Sequence, residues 1–157
     1  MRSKFFRFPP IISFVVPFLF CGCETVPSNL FTVSGPSWHV QQGQALWTPR
    51  VGAPQFGGDL VVATNGLGDS LVQFAKTPIS LVAAQTTPQY WTLNFYQLGG
   101  FWKGHQPAPK RTIWPYLTDA LEGKPLPEPL HFEQEPNGNW LMENQKTGER
   151  LEGFLSP

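Results

Sequence analysis

Three histidines, two aspartates astride one turn and two cysteines are the residues whose types and spacing invite a chemical reading. His39, His105 and His131 stand far apart, with no pair at i, i+4 to grip a metal from one helix face. Asp59 and Asp69 flank Asn65-Gly66-Leu67-Gly68, so a hairpin there sets them near each other. Carboxylates beside a tight reversal serve the turn first, and a catalytic pair is the lesser expectation. Phosphate-binding loop, dinucleotide fingerprint and nucleophile elbow are all missing from the sequence. We therefore expect no enzyme, no catalytic residues, no metal and no cofactor. Cysteine is the exception. Cys21 and Cys23 flank Gly22 at the end of an apolar run, where a thiol is an acceptor for acyl groups.

That run defines the first element. Arg2, Lys4 and Arg7 precede Ile11, Ile12, Phe14, Val15, Val16, Phe18, Leu19 and Phe20. A basic start followed by a short apolar stretch is a secretory signal peptide. It is too short to span a bilayer, which takes ~20 residues, and Pro9, Pro10 and Pro17 interrupt it. Leu19-Phe20-Cys21-Gly22-Cys23 resembles a bacterial lipobox, with cleavage before Cys23 and lipid attached to that thiol. Plain secretion, with the two cysteines a coincidence, is the alternative. Residues 1–22 are then the lipoprotein signal and Cys23 the lipid-attachment residue. The mature chain would hold no free thiol and no disulfide. Two or three acyl chains give the durable anchoring that one chain cannot. Residues 23–37, rich in Pro, Ser, Asn and Thr, read as a tether holding the domain off the membrane.

Residues 38–157 read as one β-rich domain. Charged residues are only 14% of the chain, while Pro and Gly number 17 and 15, a mix favouring short strands and turns. Net charge is zero, and losing three basic residues with the signal makes it about −3, so nothing advertises nucleic acid. The densest apolar supply is Gln89–Gly104, with Tyr90, Trp91, Phe95, Tyr96, Phe101 and Trp102. Trp91, Leu93 and Phe95 alternate with Thr92 and Asn94, as in a strand with one apolar face.

Around this stretch the sequence predicts a first strand over 38–49 broken at Gly43, and a loop over 51–58. A hairpin follows, 59–64 with 70–75, then strands over 78–85 and 90–98. A Pro-rich basic loop over 104–112 leads to a helix over 114–122, with Trp114, Leu117 and Leu121 on one face and Pro115 in its first turn. The tail is a meander of strands 130–135, 140–145 and 150–155, with Phe132, Trp140, Met142 and Leu155 inward. The composition thus indicates a mainly β (α+β) fold, one antiparallel sheet and one helix. Leu67 stands out, because an apolar side chain at a turn tip buries nothing locally.

A lipoprotein signal, a strand, Asn65-Gly66-Leu67-Gly68 and a second strand together resemble the outer-membrane lipoprotein receptor of the lipoprotein-localisation pathway (the LolA/LolB-like family). That family has an Asn-Pro-Leu-Gly turn between comparable strands. The helix before Gly123-Lys124-Pro125-Leu126-Pro127 and the hairpin Glu133–Trp140 are similar to the family's too. Gly66 stands where the family has Pro, and its last strands are not matched beyond Pro157. The resemblance implies an open half-barrel, a curved antiparallel sheet with a helix on its concave face. It also implies that Leu67 protrudes and serves membrane insertion of delivered cargo. An apolar cavity would be lined by Trp47, Leu60, Val62, Leu71, Trp91, Leu93, Phe95, Trp102, Trp114, Leu117, Phe132 and Trp140.

Two functions compete at this point. One is a lipid-anchored carrier or receptor in the bacterial envelope, facing the periplasm from the outer membrane. Its partners would be membrane lipid through Cys23, and lipoprotein acyl chains or a periplasmic carrier. The other is a structural or interaction lipoprotein whose aromatics fill a core. Both need the anchor. We predict that Cys23→Ser releases the protein from membranes or leaves its signal uncleaved; unchanged fractionation with an unchanged N-terminal peptide mass would refute lipidation.

Overall fold

The computed structural model describes residues 26–156. Cys23 and the signal segment lie outside them. The first strand, β1 (Trp38–Thr48), runs unbroken through Gly43. It pairs on one side with β2 (Phe56–Asn65) and on the other with β9 (Glu149–Ser156), the last strand of the chain. Between them come β3 (Ser70–Lys76), β4 (Ile79–Thr86), β5 (Tyr90–Phe95), β6 (Gly100–His105), β7 (Leu130–Gln134) and β8 (Asn139–Asn144). All pairings are antiparallel, in the order β6-β5-β4-β3-β2-β1-β9-β8-β7. The outermost strands β6 and β7 do not pair, so the sheet is open, in keeping with a curved half-barrel.

Glycine in β1 marks a close approach, not a break. A Cβ built on Gly43 would run into the Phe154 carbonyl oxygen and lie 2.8 Å from Leu155 Cα, both on β9. Gly153 on β9 meets the Gln44 carbonyl in the same way, with Ala45 Cα at 3.0 Å. Interior glycines in strands serve such backbone contacts.

Other boundaries also move. The strand predicted over 90–98 ends at Phe95, because residues 96–99 turn the chain back into β6, a strand the sequence does not signal. The basic loop shrinks to 106–113. Pro115 lacks an N–H, and the helix begins as a single 3-10 turn (Trp114–Tyr116) before α1 (Leu117–Leu121). No helix among the described residues is long and apolar enough to cross a membrane.

The 3-10 turn lies on β4 and β5, and α1 on β3. Ile113, Trp114 and Leu117 are fully buried there with Leu60, Phe74, Val82, Met142 and Leu151. Trp47 is the hub: its ring stacks on Phe95 at 5.7 Å and meets Trp114 edge-on at 5.4 Å and Phe74 at 6.3 Å. Thr118 Oγ1 donates to Ser70 Oγ at 3.1 Å, tying α1 to β3.

The tether reading is corrected in part. Val26 is buried, and its carbonyl accepts from Lys103 Nζ. Leu30 N donates to Gln85 Oε1 at 2.9 Å, and Gln85 Nε2 donates to the Phe31 carbonyl at 3.0 Å. The segment 26–33 thus lies along the outer face of the sheet, held by a side-chain amide that treats it as a strand neighbour would.

The β1–β9 seam yields a prediction. Gly43→Val drives two methyl groups into the β9 backbone and should cost about 3 kcal/mol of stability. Gly57→Ala is the control, since its Cβ would meet only Leu46 Cδ1 at 3.9 Å. Equal urea midpoints for the two variants would refute the close-approach argument.

Candidate functional site

Strand parity sorts the predicted residues onto two faces. On β5, Trp91, Leu93 and Phe95 face the concave side. Trp102 on β6 pairs with Leu93 and meets Phe95 edge-on at 5.6 Å. These four and Trp47 surround an open pocket of about 370 Å³, with Leu98 of the β5–β6 turn, Pro49 and Pro109 at its border. Trp102 is still 41% exposed and Leu98 74%, so the pocket's outer wall is wet.

The other seven predicted lining residues are not on the pocket. Leu60, Val62, Trp114 and Leu117 are buried in solid core beneath the helix, and Trp140 is core beside Met142. Phe132 is partly buried and stacks on Trp140 at 6.3 Å. Leu71 is a correction: it sits between Ser70 and Val72, which are buried, and therefore faces the outer side. There it borders a second groove of about 360 Å³ with Phe31, Gln85 and Phe101.

Part of the pocket's lining is polar, made by Glu149, Thr112, Thr147 and Arg111. Glu149 opens β9 and shares the parity of buried Leu151, which aims its carboxyl inward; it is 5% exposed. Trp47 Nε1 donates to Oε1 at 3.2 Å and the Ile113 amide to Oε2 at 3.0 Å. Burial raises its pKa from 4.5 to about 7, against the opposing pull of those two donors. The Thr112 hydroxyl and Trp114 indole N–H add a smaller pull in the same direction, yet neither closes a hydrogen bond. Asn144, fully buried beside it on β8, donates to the Lys110 carbonyl at 2.9 Å and accepts from the Lys146 and Thr147 amides at 3.0 and 3.1 Å. Glu149 and Asn144 together fasten the loop 106–113 onto the β8–β9 corner.

Glu149 escaped the sequence reading, which saw only a turn at Lys146-Thr147-Gly148-Glu149. Its signal was present: Glu149 alternates with Leu151 and Gly153 as an inward residue of the last strand.

Leu67 is 79% exposed. Asn65 Oδ1 accepts from the Leu67 amide at 2.9 Å and the Asp69 amide at 3.0 Å, and Gly68 takes a positive φ of 85°. The turn is thus built without the Leu67 side chain. Asp69 accepts from Asn65 Nδ2 at 2.9 Å and Asp59 from Thr77 Oγ1 at 2.7 Å, so the two carboxylates serve separate structural bonds. Leu67 is not among the residues lining the pocket, although Trp91, which is, pairs with Thr86, and Thr86 pairs with Ser70 at the base of the Leu67 turn. Among the described residues no group of three or more His, Cys, Asp or Glu is placed to hold a metal.

Because Glu149 binds its proton more tightly when folded, it favours the folded state at low pH. That contribution is lost as pH rises from 4.5 through about 7, an effect of roughly 3 kcal/mol. We predict urea midpoints that fall across this window, with a shallower fall in Glu149→Gln. A variant whose profile parallels the native one would show that Glu149 titrates normally.

Compared with protein-family models and with curated proteins, the chain matches none.

Proposed function

We propose that the protein is a lipid-anchored envelope carrier or receptor that takes an acyl chain into the pocket of Trp47, Trp91, Phe95 and Trp102. The supporting observation is the pocket itself. It is walled by aromatics, and its volume falls at the low end of ligand sites, room for about one chain. The order of basic, apolar and Gly-Cys residues at the chain start supports the anchor, and the likeness to the lipoprotein-localisation receptor supports acyl chains of lipoproteins as cargo. In this reading Cys23 holds the protein at the outer membrane, facing the periplasm. Leu67, free of intramolecular duty, is the residue that meets the bilayer during delivery; burying one Leu is worth ~1.5–3 kcal/mol, enough to bias a brief encounter.

One observation favours the structural reading instead. Ile113, Trp114 and Leu117 are fully buried and already fill the centre of the concave face. A single experiment weighs the two. A fluorescent acyl probe should quench the pocket tryptophans of the native protein, and a Trp91→Ala, Trp102→Ala double variant should lose at least about tenfold in affinity. Leu67→Glu should keep both probe binding and stability, the latter within ~0.5 kcal/mol, while impairing release of cargo to vesicles. Absence of probe binding would leave the structural reading; full release by Leu67→Glu would reduce the turn to a turn.

A further inference from the structure

We propose that this pocket selects a single-chain amphiphile with an anionic head, whose chain lies against Trp47, Trp91 and Trp102 and whose head is held by Arg111 and Thr112. The inference rests on the acyl-chain reading of the pocket and adds the sign of the head group. Three features carry it. Arg111 lines the pocket, is exposed, and forms no ion pair among the described residues. Thr112 lines the same pocket and is 7% exposed; its hydroxyl, turned towards Glu149, closes no hydrogen bond among the described residues. A buried, unpaired hydroxyl is costly, and a ligand oxygen accepting from it removes that cost. A guanidinium beside a free hydroxyl is a donor pair suited to a carboxylate or phosphate.

The third feature is what surrounds them. Lys110 precedes Arg111 on the loop, and its carbonyl is taken by Asn144. Lys146 lies on the β8–β9 turn and Glu143 on β8, but neither lines the pocket. Arg150 points to the opposite face of β9 and pairs with Glu152 at 2.6 Å. Tyr116 on the 3-10 turn spends its hydroxyl on the Ala108 carbonyl. Among the described residues lining the pocket Glu149 is thus the one other ionisable group, and burial keeps a large share of it protonated near neutral pH. While Glu149 holds its proton, Arg111 supplies the only formal charge among the described residues lining the site. As Glu149 ionises, its charge opposes an anionic head, so affinity falls as pH rises through about 7.

A photoreactive alkyl sulfonate, which stays ionised throughout, is compared with the uncharged alcohol of equal chain length on the full chain in neutral detergent micelles. Adducts are mapped to the peptide around Gln89–Gly104. The sulfonate should label more strongly, and Arg111→Gln should lower its labelling about tenfold while leaving the alcohol unchanged. Sulfonate labelling should fall severalfold between about pH 6 and 8, and Glu149→Gln should flatten that profile. Should Glu149→Gln not fold, the native profile stands as the test, and a flat or rising one overturns the proposal. Competition by palmitate or by a lysophosphatidate identifies which anionic source the site takes; competition by neither overturns it. Equal labelling by sulfonate and alcohol, unaffected by Arg111→Gln, sinks the charge selection but leaves an acyl pocket. No labelling by either probe removes the pocket reading itself.

Discussion

Everything in this fold hangs on the pairing of the first strand with the last. β1 is the one strand flanked by partners from both ends of the chain, β2 and β9. Strands β2 to β6 extend the sheet to one side and β9 to β7 to the other. The seam between them tolerates no side chain at Gly43 or Gly153, because each faces a carbonyl of the opposing strand. A consequence reaches the helix. With β6 and β7 at opposite edges, residues 106–129 must travel the full width of nine strands, about 38 Å were the sheet flat. Curvature shortens that path across the concave side. The crossing segment therefore lies where Trp114 and Leu117 meet the sheet, and its helix is cut short by Gly123, at a φ of 72°, with Pro125 just beyond.

The same crossing explains why one end of the concavity is filled and the other is open. Trp114 occupies the centre under Trp47 and Phe74. Beyond it the segment has only the loop 106–113, whose prolines offer little bulk, and the aromatics of β5 and β6 are left facing space. Glu149 holds this boundary in position. Its two oxygens accept from Trp47 on the sheet and Ile113 on the crossing segment. Such a bridge between layers has a desolvation cost, visible as its raised pKa, and the two donors offset part of it.

Much of the sheet was legible because its signals are local. Alternation at Trp91, Leu93 and Phe95, the Asn65-Gly66 and Asn137-Gly138 turns, and the Gly123 stop all act within a few residues. What escaped was long-range. Gly43 looks like a break until its partner, more than a hundred residues away, is known. Leu71 belongs to a strand whose neighbours Leu71 and Val72 are both apolar, so composition alone could not say which faces in. Glu149 is inseparable from turn chemistry in the sequence, and only the parity of β9 reveals its direction. The pocket shares this character: core and cavity use the same aromatics, and the difference lies in where the crossing segment stops.

The segment held along the outer face changes the mechanics of attachment. The sequence suggested fifteen loose residues between anchor and domain, a leash on which the domain could swivel freely. With Val26 buried and residues 30 and 31 fixed to Gln85, only a three-residue step separates Cys23 from the folded body, at most about 10 Å of chain. If Cys23 carries lipid, that short step keeps the domain close against the bilayer instead of hovering above it. Neutron reflectivity would then find a thin protein layer with no solvent gap, and a gap of tens of ångströms would contradict it. An anchor this short would trade reach for proximity, leaving the domain little height above the surface in which to search.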